Sequence, residues 1–274
     1  MDNRAIGIFD SGLGGFTVVK EINKILPNES IVYFGDSGRT PYGTKSHNTI
    51  IRYVCQDANF LISKNIKILV IACNTASAHA YEILKDHLNI PVIEVVRPGA
   101  AEAVNKTKNH RIGVIGTTAT IESCAYEKQI KMLLSSEKVF SKACPLFVPL
   151  AEEGQKWWDC DITMNIALKY LKEFVQNDID TLVLGCTHYP LLNNVIKKAV
   201  GEKIVLVSSA FQVAKEVLRE LTLNNIAAEE KHKRNECYYT SDSIDKFGKL
   251  SSIILGKQLM NVEQIRIDSY PDFF

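Results

Sequence analysis

The chain has 274 residues, and at typical domain sizes of roughly 100–200 residues this length favours two domains over one. Hydrophobic residues make up 46% and charged residues 23%, as in an ordinary soluble globular protein, which excludes wholesale disorder, collagen-like repeats and a small disulfide-stapled fold. The 32 basic and 31 acidic side chains leave a net charge of +1, so neither nucleic acid nor an anionic membrane is expected as a partner.

Short apolar runs alternate with longer amphipathic segments along the chain. Near-continuous Ile, Val and Leu is typical of strands covered on both faces, and apolar residues at every third or fourth position are typical of amphipathic helices. In chain order the pattern predicts strand 5–9, helix 16–26, strand 30–34, helix 49–64, strand 68–72, helix 76–88, strand 91–95, strand 111–115, helix 121–134, strand 146–150, helix 164–176, strand 181–184, helix 191–200, strand 204–207 and helix 212–223. This order predicts an α/β protein with right-handed crossovers.

Two halves of the chain resemble each other. A strand that breaks into a polar turn occurs at 6–15 and again at 112–120, and a strand that delivers a cysteine occurs at 68–75 and again at 181–188. The repeat predicts two similar doubly wound, mainly parallel-sheet domains related by a pseudo-twofold axis, although any two strand–turn–helix units share some likeness by chance. Because Pro and Gly interrupt both patterns near residue 98, we place one domain at 1–97 plus a returning segment at 208–274, and the other at 98–207.

Polar motifs follow several predicted strands at their carboxyl ends, which is where ligands collect in open α/β sheets. These motifs are Asp10-Ser11-Gly12, Asp36-Ser37-Gly38, Cys73-Asn74-Thr75, Gly116-Thr117-Thr118-Ala119-Thr120 and Cys186-Thr187-His188. The glycine-rich turn at 12–15 precedes a helix, so its N–H groups could hold an anion, or its glycines could serve only a tight turn with positive φ. It matches neither the dinucleotide fingerprint nor the P-loop.

Seven cysteines occur without any C-x-x-C pair, which argues against a zinc site or a thioredoxin-type motif, and no metal is expected. Cys73 and Cys186 each precede a predicted helix, whose dipole lowers a thiol pKa. His188 follows Cys186 closely, and Asp10 could reach Cys73 from the neighbouring strand end. A lone cysteine is more often a buried structural residue, but two in matching positions of matching halves favour chemistry.

Two thiols on either side of a substrate are suited to inverting a stereocentre. One thiolate removes a proton from carbon while the opposite thiol returns one, and the two exchange roles in the reverse direction. Uncharged donors for a small anionic substrate are available in Ser11, Asn74, Thr75, Thr117, Thr120 and Thr187, although each could serve only as a helix N-cap. The alternatives are a Cys–His acyl-transfer enzyme that uses Cys186 and His188 alone, and a non-enzymatic anion-binding module.

The chain resembles the cofactor-independent aspartate/glutamate racemase family over nearly its whole length. The resemblance is carried by segments 6–15 (IGIFDSGLGG), 36–43 (DSGRTPYG), 72–76 (ACNTA), 116–120 (GTTAT), 144–150 (CPLFVPL), 185–190 (GCTHYP) and 239–242 (YTSD). The two cysteine motifs together with the Pro-Tyr-Gly segment are specific for the family.

The resemblance implies interconversion of L- and D-glutamate, the D form supplying peptidoglycan, with aspartate as the alternative substrate. It implies that Cys73 takes the α-proton from D-glutamate with help from Asp10, and that Cys186 takes it from L-glutamate with help from His188. It places Glu152 near the second thiol, with Glu153 as the alternative in register. The implied substrate ligands are Ser11, Tyr42, Gly43, Asn74, Thr75, Thr117, Thr120 and Thr187. The family uses no pyridoxal phosphate, and no cofactor is expected.

The remaining expectations concern location, assembly and departures from the family pattern. Neither a secretory signal nor a membrane span is evident, so we expect a cytoplasmic protein, and the resemblance implies a homodimer. The chain begins a few residues before its first strand, so we expect no activator site of the kind that family members carry on an N-terminal extension. Arg97, Ser208 and the pair Trp157-Trp158 depart from the family pattern.

Overall fold

A computed structural model describes residues 1–136 and 138–272. The last two residues of the predicted returning segment, 273 and 274, lie outside this range. Ten strands are present in the described part: β1 (Ile6–Asp10), β2 (Ile31–Gly35), β3 (Ile68–Ile71), β4 (Val92–Glu94), β5 (Arg111–Gly116), β6 (Lys138–Ala143), β7 (Thr181–Gly185), β8 (Val205–Val207), β9 (Glu236–Thr240) and β10 (Val262–Gln264). Their pairing is parallel throughout, in two sheets of order β10-β9-β2-β1-β3-β4 and β6-β5-β7-β8.

Helices connect the strands, as parallel pairing requires. They are α1 (Phe16–Ile25), α2 (His47–Ser63), α3 (Asn74–His87), α4 (Val96–Lys106), α5 (Thr118–Glu122), α6 (Ala125–Leu133), α7 (Phe147–Glu152), α8 (Gln155–Trp158), α9 (Asp161–Gln176), α10 (Asn193–Val200), α11 (Ala210–Leu223) and α12 (Ile244–Leu255). Single 3-10 turns lie at Tyr42–Thr44, Tyr189–Leu192 and Ile267–Ser269. Among the described residues, no helix is both long and apolar enough to cross a membrane. The parallel strand pairing and the connecting helices confirm the predicted α/β fold class with parallel sheets.

Apolar clusters cover both faces of each sheet. In β1, Ile8 belongs to the cluster on one face of the larger sheet and Phe9 to the cluster on the other. In β5, Val114 and Ile115 likewise belong to the two opposite clusters of the smaller sheet. Successive side chains of a strand point to opposite faces, so strands with two covered faces need continuous apolar sequence. This requirement explains why these strands could be recognised in the sequence.

The predicted strand at 146–150 is wrong, because this segment is helix α7 (Phe147–Glu152). The neighbour of β5 is instead β6 (Lys138–Ala143), a half-exposed edge strand whose alternation of charged and apolar residues gives a weak signal. Pro149 lacks the N–H that a strand within a sheet would donate. The apolar side chains of α7, among them Phe147 and Leu150, are buried in the core beside the smaller sheet.

The residues at 97–99, predicted to interrupt the helical pattern, lie instead in the first turn of helix α4 (Val96–Lys106). Pro98 is tolerated there because the first N–H groups of a helix have no partner within it. A Cβ on Gly99 would lie 3.2 Å from Ser209 Cβ and 3.2 Å from Tyr126, so Gly99 permits close packing of α4. Helix α4 connects the two sheets.

Candidate active site

The polar ends of strands from both sheets meet in one buried region. After β3, the Thr75 hydroxyl lies 2.9 Å from the Thr117 hydroxyl and 3.1 Å from the Thr120 hydroxyl, both of which follow β5. After β1, the Asp10 carboxylate accepts a hydrogen bond of 3.1 Å from Thr187, which follows β7. The carboxyl edges of the two sheets therefore face each other, and residues at their strand ends form one shared site.

Almost all the residues predicted for the site are buried. Those no more than 7% exposed are Asp10, Ser11, Tyr42, Cys73, Asn74, Thr75, Thr117, Thr120, Cys186, Thr187 and His188. Gly43 is also buried, and Glu152 is partly exposed. A buried cluster so rich in thiol, hydroxyl, amide and carboxyl groups is costly to fold unless the groups satisfy each other or a ligand.

The thiol of Cys73 lies at the N-cap of helix α3. Its sulfur accepts a hydrogen bond from the N–H of Ala76 at 3.5 Å, and the thiol donates to the Ser11 hydroxyl at 3.5 Å. Burial and, after it, the negative charge of Asp10 raise the pKa of the thiol to about 12, while the contact with Ser11 opposes the rise. The charge of Cys186 also contributes to the rise, so the two thiols are close enough to interact electrostatically. Cys73 is therefore a protonated thiol at neutral pH.

The thiol of Cys186 has a different neighbour. Its sulfur lies 3.7 Å from Nδ1 of His188, whose Nε2 lies 3.2 Å from a carboxylate oxygen of Glu152. Burial alone would lower the pKa of His188, but its hydrogen bonds to Cys186 and Glu152 raise that pKa well above its ordinary value. His188 is therefore an imidazolium at neutral pH, and it lies within contact distance of the sulfur of Cys186.

Helix α7 supplies the carboxylate that holds His188. Burial raises the pKa of Glu152, but the hydrogen bond and charge of His188 outweigh it and bring the pKa below its ordinary value. The indole N–H of Trp158 donates at 2.8 Å to the carbonyl of Ala151, the residue before Glu152. Glu153, the alternative in register, is exposed. Glu152 is thus the residue placed at the site.

The Asp10 carboxylate interacts electrostatically both with Cys73 and with His188, the neighbour of Cys186. Burial raises its pKa, and the charge of His188 and the N–H groups of Gly12 and Gly15 oppose the rise. The carboxylate accepts hydrogen bonds from Gly12 N–H and from Thr187. Within the described residues, no hydrogen bond joins Asp10 to Cys73, and Asp10 acts on that thiol through its charge.

Asn74 presents a buried acceptor without a partner. Its amide N–H donates to the Tyr126 hydroxyl at 2.7 Å, whereas its Oδ1 accepts no hydrogen bond from any residue that the structure describes. An amide oxygen buried without a partner is destabilising, and a ligand N–H would satisfy it. Tyr126 was missed by sequence reasoning because its position in an amphipathic helix is typical of a core residue.

The backbone at Gly43 lies close to Thr117, since a Cβ on Gly43 would lie 2.3 Å from Thr117 Cβ. The Tyr42 hydroxyl lies within hydrogen-bond distance of Asp36 and, at 2.7 Å, of Asp57, so its side chain points into a separate buried cluster. Arg39 completes that cluster with ion pairs of 2.6 Å to Asp36 and 2.9 Å to Asp57. No pattern in the sequence distinguishes Asp57, which lies inside a predicted helix. The motif 36–38 therefore contributes Asp36 to this separate cluster, through its contacts with Tyr42 and Arg39.

The glycine-rich turn at 12–15 is packed tightly against the opposite sheet. A Cβ on Gly14 would lie 2.3 Å from the Thr187 hydroxyl and 2.7 Å from Nδ1 of His188. None of the glycines in this turn has a positive φ, so the predicted need for positive φ is wrong. Close approach of the two halves is the property that requires glycine here.

The part of the chain that the structure describes contains no group of three or more His, Cys, Asp or Glu that could hold a metal ion. Among the other cysteines, Cys144 is buried and Cys124 is exposed, and the described cysteines form no disulfide. The side chains of the site supply thiols, carboxylates, an imidazolium and hydroxyls.

Comparisons with known proteins agree with this arrangement. The family model for Asp/Glu/Hydantoin racemase matches residues 6–215. A glutamate racemase of Geobacter metallireducens is 47% identical over 266 residues, which cover 97% of this chain and 98% of that protein. Two solved structures have TM-scores of 0.92: a glutamate racemase isoform from Bacillus anthracis, 40% identical over 97% of this chain and 98% of that one, and the enzyme from Francisella tularensis in complex with D-glutamate, 39% identical over 98% of this chain and 100% of that one.

The family match extends over most of the chain, and the similarity to the solved structures includes both sheets. The predicted relationship to the aspartate/glutamate racemases is confirmed, and so is the predicted class of enzyme. The chain belongs to the Asp/Glu/Hydantoin racemase family and is an isomerase of the racemase class.

Proposed function

We propose that this racemase interconverts L- and D-glutamate with two thiols that act as acid and base. The observation that carries the proposal is the pair Cys73 and Cys186, buried in one site with different proton partners. Glutamate is the substrate named for the similar proteins, one of which was solved with D-glutamate. The reaction needs no redox change and no leaving group, only the exchange of one proton at the α-carbon.

In the proposed reaction from L to D, the thiolate of Cys186 takes the α-proton and the thiol of Cys73 delivers a proton to the opposite face. The C–H electron pair stays on the α-carbon until the new C–H bond forms, and Cys73 is left as the thiolate. The reverse reaction starts from Cys73. His188, held by Glu152, assists Cys186, while Asp10 assists Cys73.

The carbanion-like intermediate needs electrostatic stabilisation. We assign this task to uncharged donors aimed at the substrate carboxylates, because such groups stabilise developing charge without reorganising. The unpartnered Oδ1 of Asn74 can accept an N–H of the amino group. The full set of proposed ligands is Ser11, Asn74, Thr75, Thr117, Thr120, Thr187 and the backbone at Tyr42 and Gly43.

Cys73 is protonated in the site, and His188 lies beside the sulfur of Cys186. A protonated Cys73 is the acid that the proposed L-to-D direction uses.

Loss of optical activity tests the proposal. Purified protein added to D-glutamate without any cofactor is expected to bring the circular dichroism of the solution to zero, because the equilibrium mixture is racemic. An unchanged signal would contradict the function. A signal lost with D-aspartate but not with D-glutamate would support the aspartate alternative; one methylene in a well-formed pocket discriminates by about 10–200-fold in kcat/KM.

The biological setting follows from the same resemblance. We propose that the enzyme is a cytoplasmic homodimer that supplies D-glutamate for peptidoglycan. We also propose that residues 1–97 with 208–274 form one domain and 98–207 the other, which is supported by the separate apolar clusters around each sheet. Analytical ultracentrifugation tests the dimer, which would sediment with twice the mass of one chain.

A further inference from the structure

Helix α3 contacts the segment Thr117–Thr120 at two points one helical turn apart. The first is the Thr75 hydroxyl, at 2.9 Å from Thr117 and 3.1 Å from Thr120. The second is His79, whose Nε2 lies 3.1 Å from the carbonyl oxygen of Ala119. Residues four apart share one face of a helix, so the two contacts come from a single surface of α3. This surface of α3 therefore contacts the segment at Thr117, Ala119 and Thr120.

A second histidine contacts the first on the side of its ring away from Ala119. Nδ1 of His47, at the start of α2, is 2.8 Å from Nδ1 of His79. A carbonyl oxygen can only accept a hydrogen bond, so Nε2 of His79 must carry the proton that it donates to Ala119. In the neutral ring, Nδ1 of His79 is then an acceptor, and His47 must donate to it from its own Nδ1. The pair therefore has one defined tautomer at each ring.

We propose that His79 is a positioning residue for the segment Thr117–Thr120, holding Ala119 so that the hydroxyls of Thr117 and Thr120 face the substrate, and that His47 fixes the tautomer of His79 that makes this contact. The proposal rests on the function proposed above for this site. His79 does not touch the reacting atoms. It acts through the backbone at the start of helix α5, which follows a strand of the opposite sheet.

The surroundings of His79 keep its ring neutral. Burial lowers the pKa of His79, the hydrogen bond to Ala119 opposes this effect, the charge of His47 lowers the pKa further, and Glu122 raises it. His79 is half-buried and His47 is exposed. The neutral ring can accept from His47 and donate to Ala119 at the same time, which no apolar residue at position 79 could do.

Kinetics of matched variants test the positioning role. His79→Ala removes the donor. Because the segment Thr117–Thr120 is proposed to bind a substrate carboxylate in the ground state as well as in the transition state, KM for glutamate should rise about threefold to tenfold while kcat falls by no more than about twofold. His79→Gln offers an amide donor and should recover most of the wild-type KM. The control is His87→Ala, at an exposed position farther along α3. A wild-type KM in His79→Ala, or no recovery in His79→Gln, would overturn the proposal.

Nitrogen-15 NMR of the wild-type protein tests the tautomers without using activity. Spectra that correlate imidazole nitrogens with ring protons distinguish Nδ1–H from Nε2–H, and His79 is assigned among the six histidines by the signals that disappear in His79→Gln. We expect Nε2–H at His79 and Nδ1–H at His47. The opposite tautomer at His79 would overturn the positioning role even if His79→Ala does not fold. A wild-type protein that fails to racemise glutamate would instead contradict the proposed function, leaving the tautomers to decide the contact.

Discussion

Cys73 and Cys186 are the same residue in two different electrostatic surroundings. Cys73 faces the carboxylate of Asp10, and its pKa is raised to about 12, chiefly by burial. Cys186 faces the imidazolium of His188, which Glu152 holds in place. The two thiols therefore have neighbours of opposite charge, and acid–base catalysis uses pairs of groups whose surroundings differ in this way.

Replacing either thiol separates the proposed reaction from its rivals. Cys73→Ser and Cys186→Ser should each lower kcat for glutamate by about 10²–10⁴-fold, because a serine hydroxyl is a far weaker acid than a thiol. The control is Cys124→Ser at an exposed cysteine, which should keep wild-type turnover. Circular dichroism in both directions measures the rates. A Cys73→Ser variant with nearly full turnover would contradict the two-thiol account and favour acyl transfer by Cys186.

At the scale of the elements, the strands that carry the proposed site residues were predictable from the sequence, and parallel sheets bring the ends of such strands together. Asp10, Cys73 and Cys186 follow apolar strands that are buried on both faces, which give the strongest signal. Strands β9 and β10 and helix α12 were missed. Both strands carry polar residues, and β10 is the edge strand of the larger sheet, with β9 between it and β2. The strand order β6-β5-β7 could not be predicted. The amphipathic sequence of the edge strand β6 gives a weaker strand signal than the apolar run that forms α7.

Contacts between elements distant in the chain were also beyond the sequence. The bond between Asn74 and Tyr126, the separate cluster at Tyr42 and the link from His79 to Ala119 depend on how helices of one sheet meet loops of the other. Composition and periodicity predict which face of a helix is buried, but they do not predict which element that face contacts. These contacts therefore required the structure.

The N-terminus of helix α4 is capped by a buried carboxylate. Glu94 is 4% exposed, and it accepts hydrogen bonds from the N–H groups of Val96 and Arg97. Burial raises the pKa of Glu94 to about 7, against the opposing effect of these N–H groups. The folded protein thus keeps a proton that the unfolded chain releases near its ordinary pKa of 4.5. The contribution of Glu94 to stability therefore falls as pH rises through this window, and it is constant above it.

Urea unfolding at pH 5 and pH 8 measures this effect. The free energy of unfolding of the wild-type protein should lose on the order of 2–3 kcal/mol through Glu94 between these values. Glu94→Gln cannot titrate, so its loss over the same range should be smaller by that amount. All other titrating groups are shared by the two proteins, which makes the difference specific. Equal pH dependence in both proteins would contradict the raised pKa.

Gly43 is a position where the two sheets leave no room for a side chain. A Cβ there would lie 2.3 Å from Thr117 Cβ and 2.6 Å from its hydroxyl, so Gly43→Ala must separate the turn from Thr117. We expect KM for glutamate to rise about tenfold or more, because small displacements of binding groups are costly. The control is Gly248→Ala in α12, where a Cβ meets nothing within 4 Å.

Gly248→Ala should leave KM unchanged and should raise the free energy of unfolding by about 0.5–1 kcal/mol, since alanine is the better helix former. Steady-state kinetics and urea unfolding measure the two effects. Gly43→Ala with the kinetic constants of Gly248→Ala would show that the close approach to Thr117 does not matter for binding.

For the whole molecule, the site exists only where the two sheets meet. The larger sheet supplies Asp10 and Cys73, the smaller sheet supplies Cys186, and direct hydrogen bonds such as Thr187 to Asp10 connect them. A small substrate held between the sheets would have one thiol from each on either side of its α-carbon. The parallel order within each sheet is what places both thiols at facing edges.

Racemisation in deuterium oxide tests this arrangement most directly. Protiated L-glutamate is incubated with the enzyme, and the two enantiomers are separated at low conversion and analysed by mass spectrometry. The account predicts that the D-glutamate formed carries deuterium at the α-carbon while the remaining L-glutamate stays protiated, because the proton leaves to Cys186 and its replacement arrives from a solvent-equilibrated Cys73. D-glutamate that keeps the original protium would mean that a single base moves one proton across the carbon, and it would contradict the account.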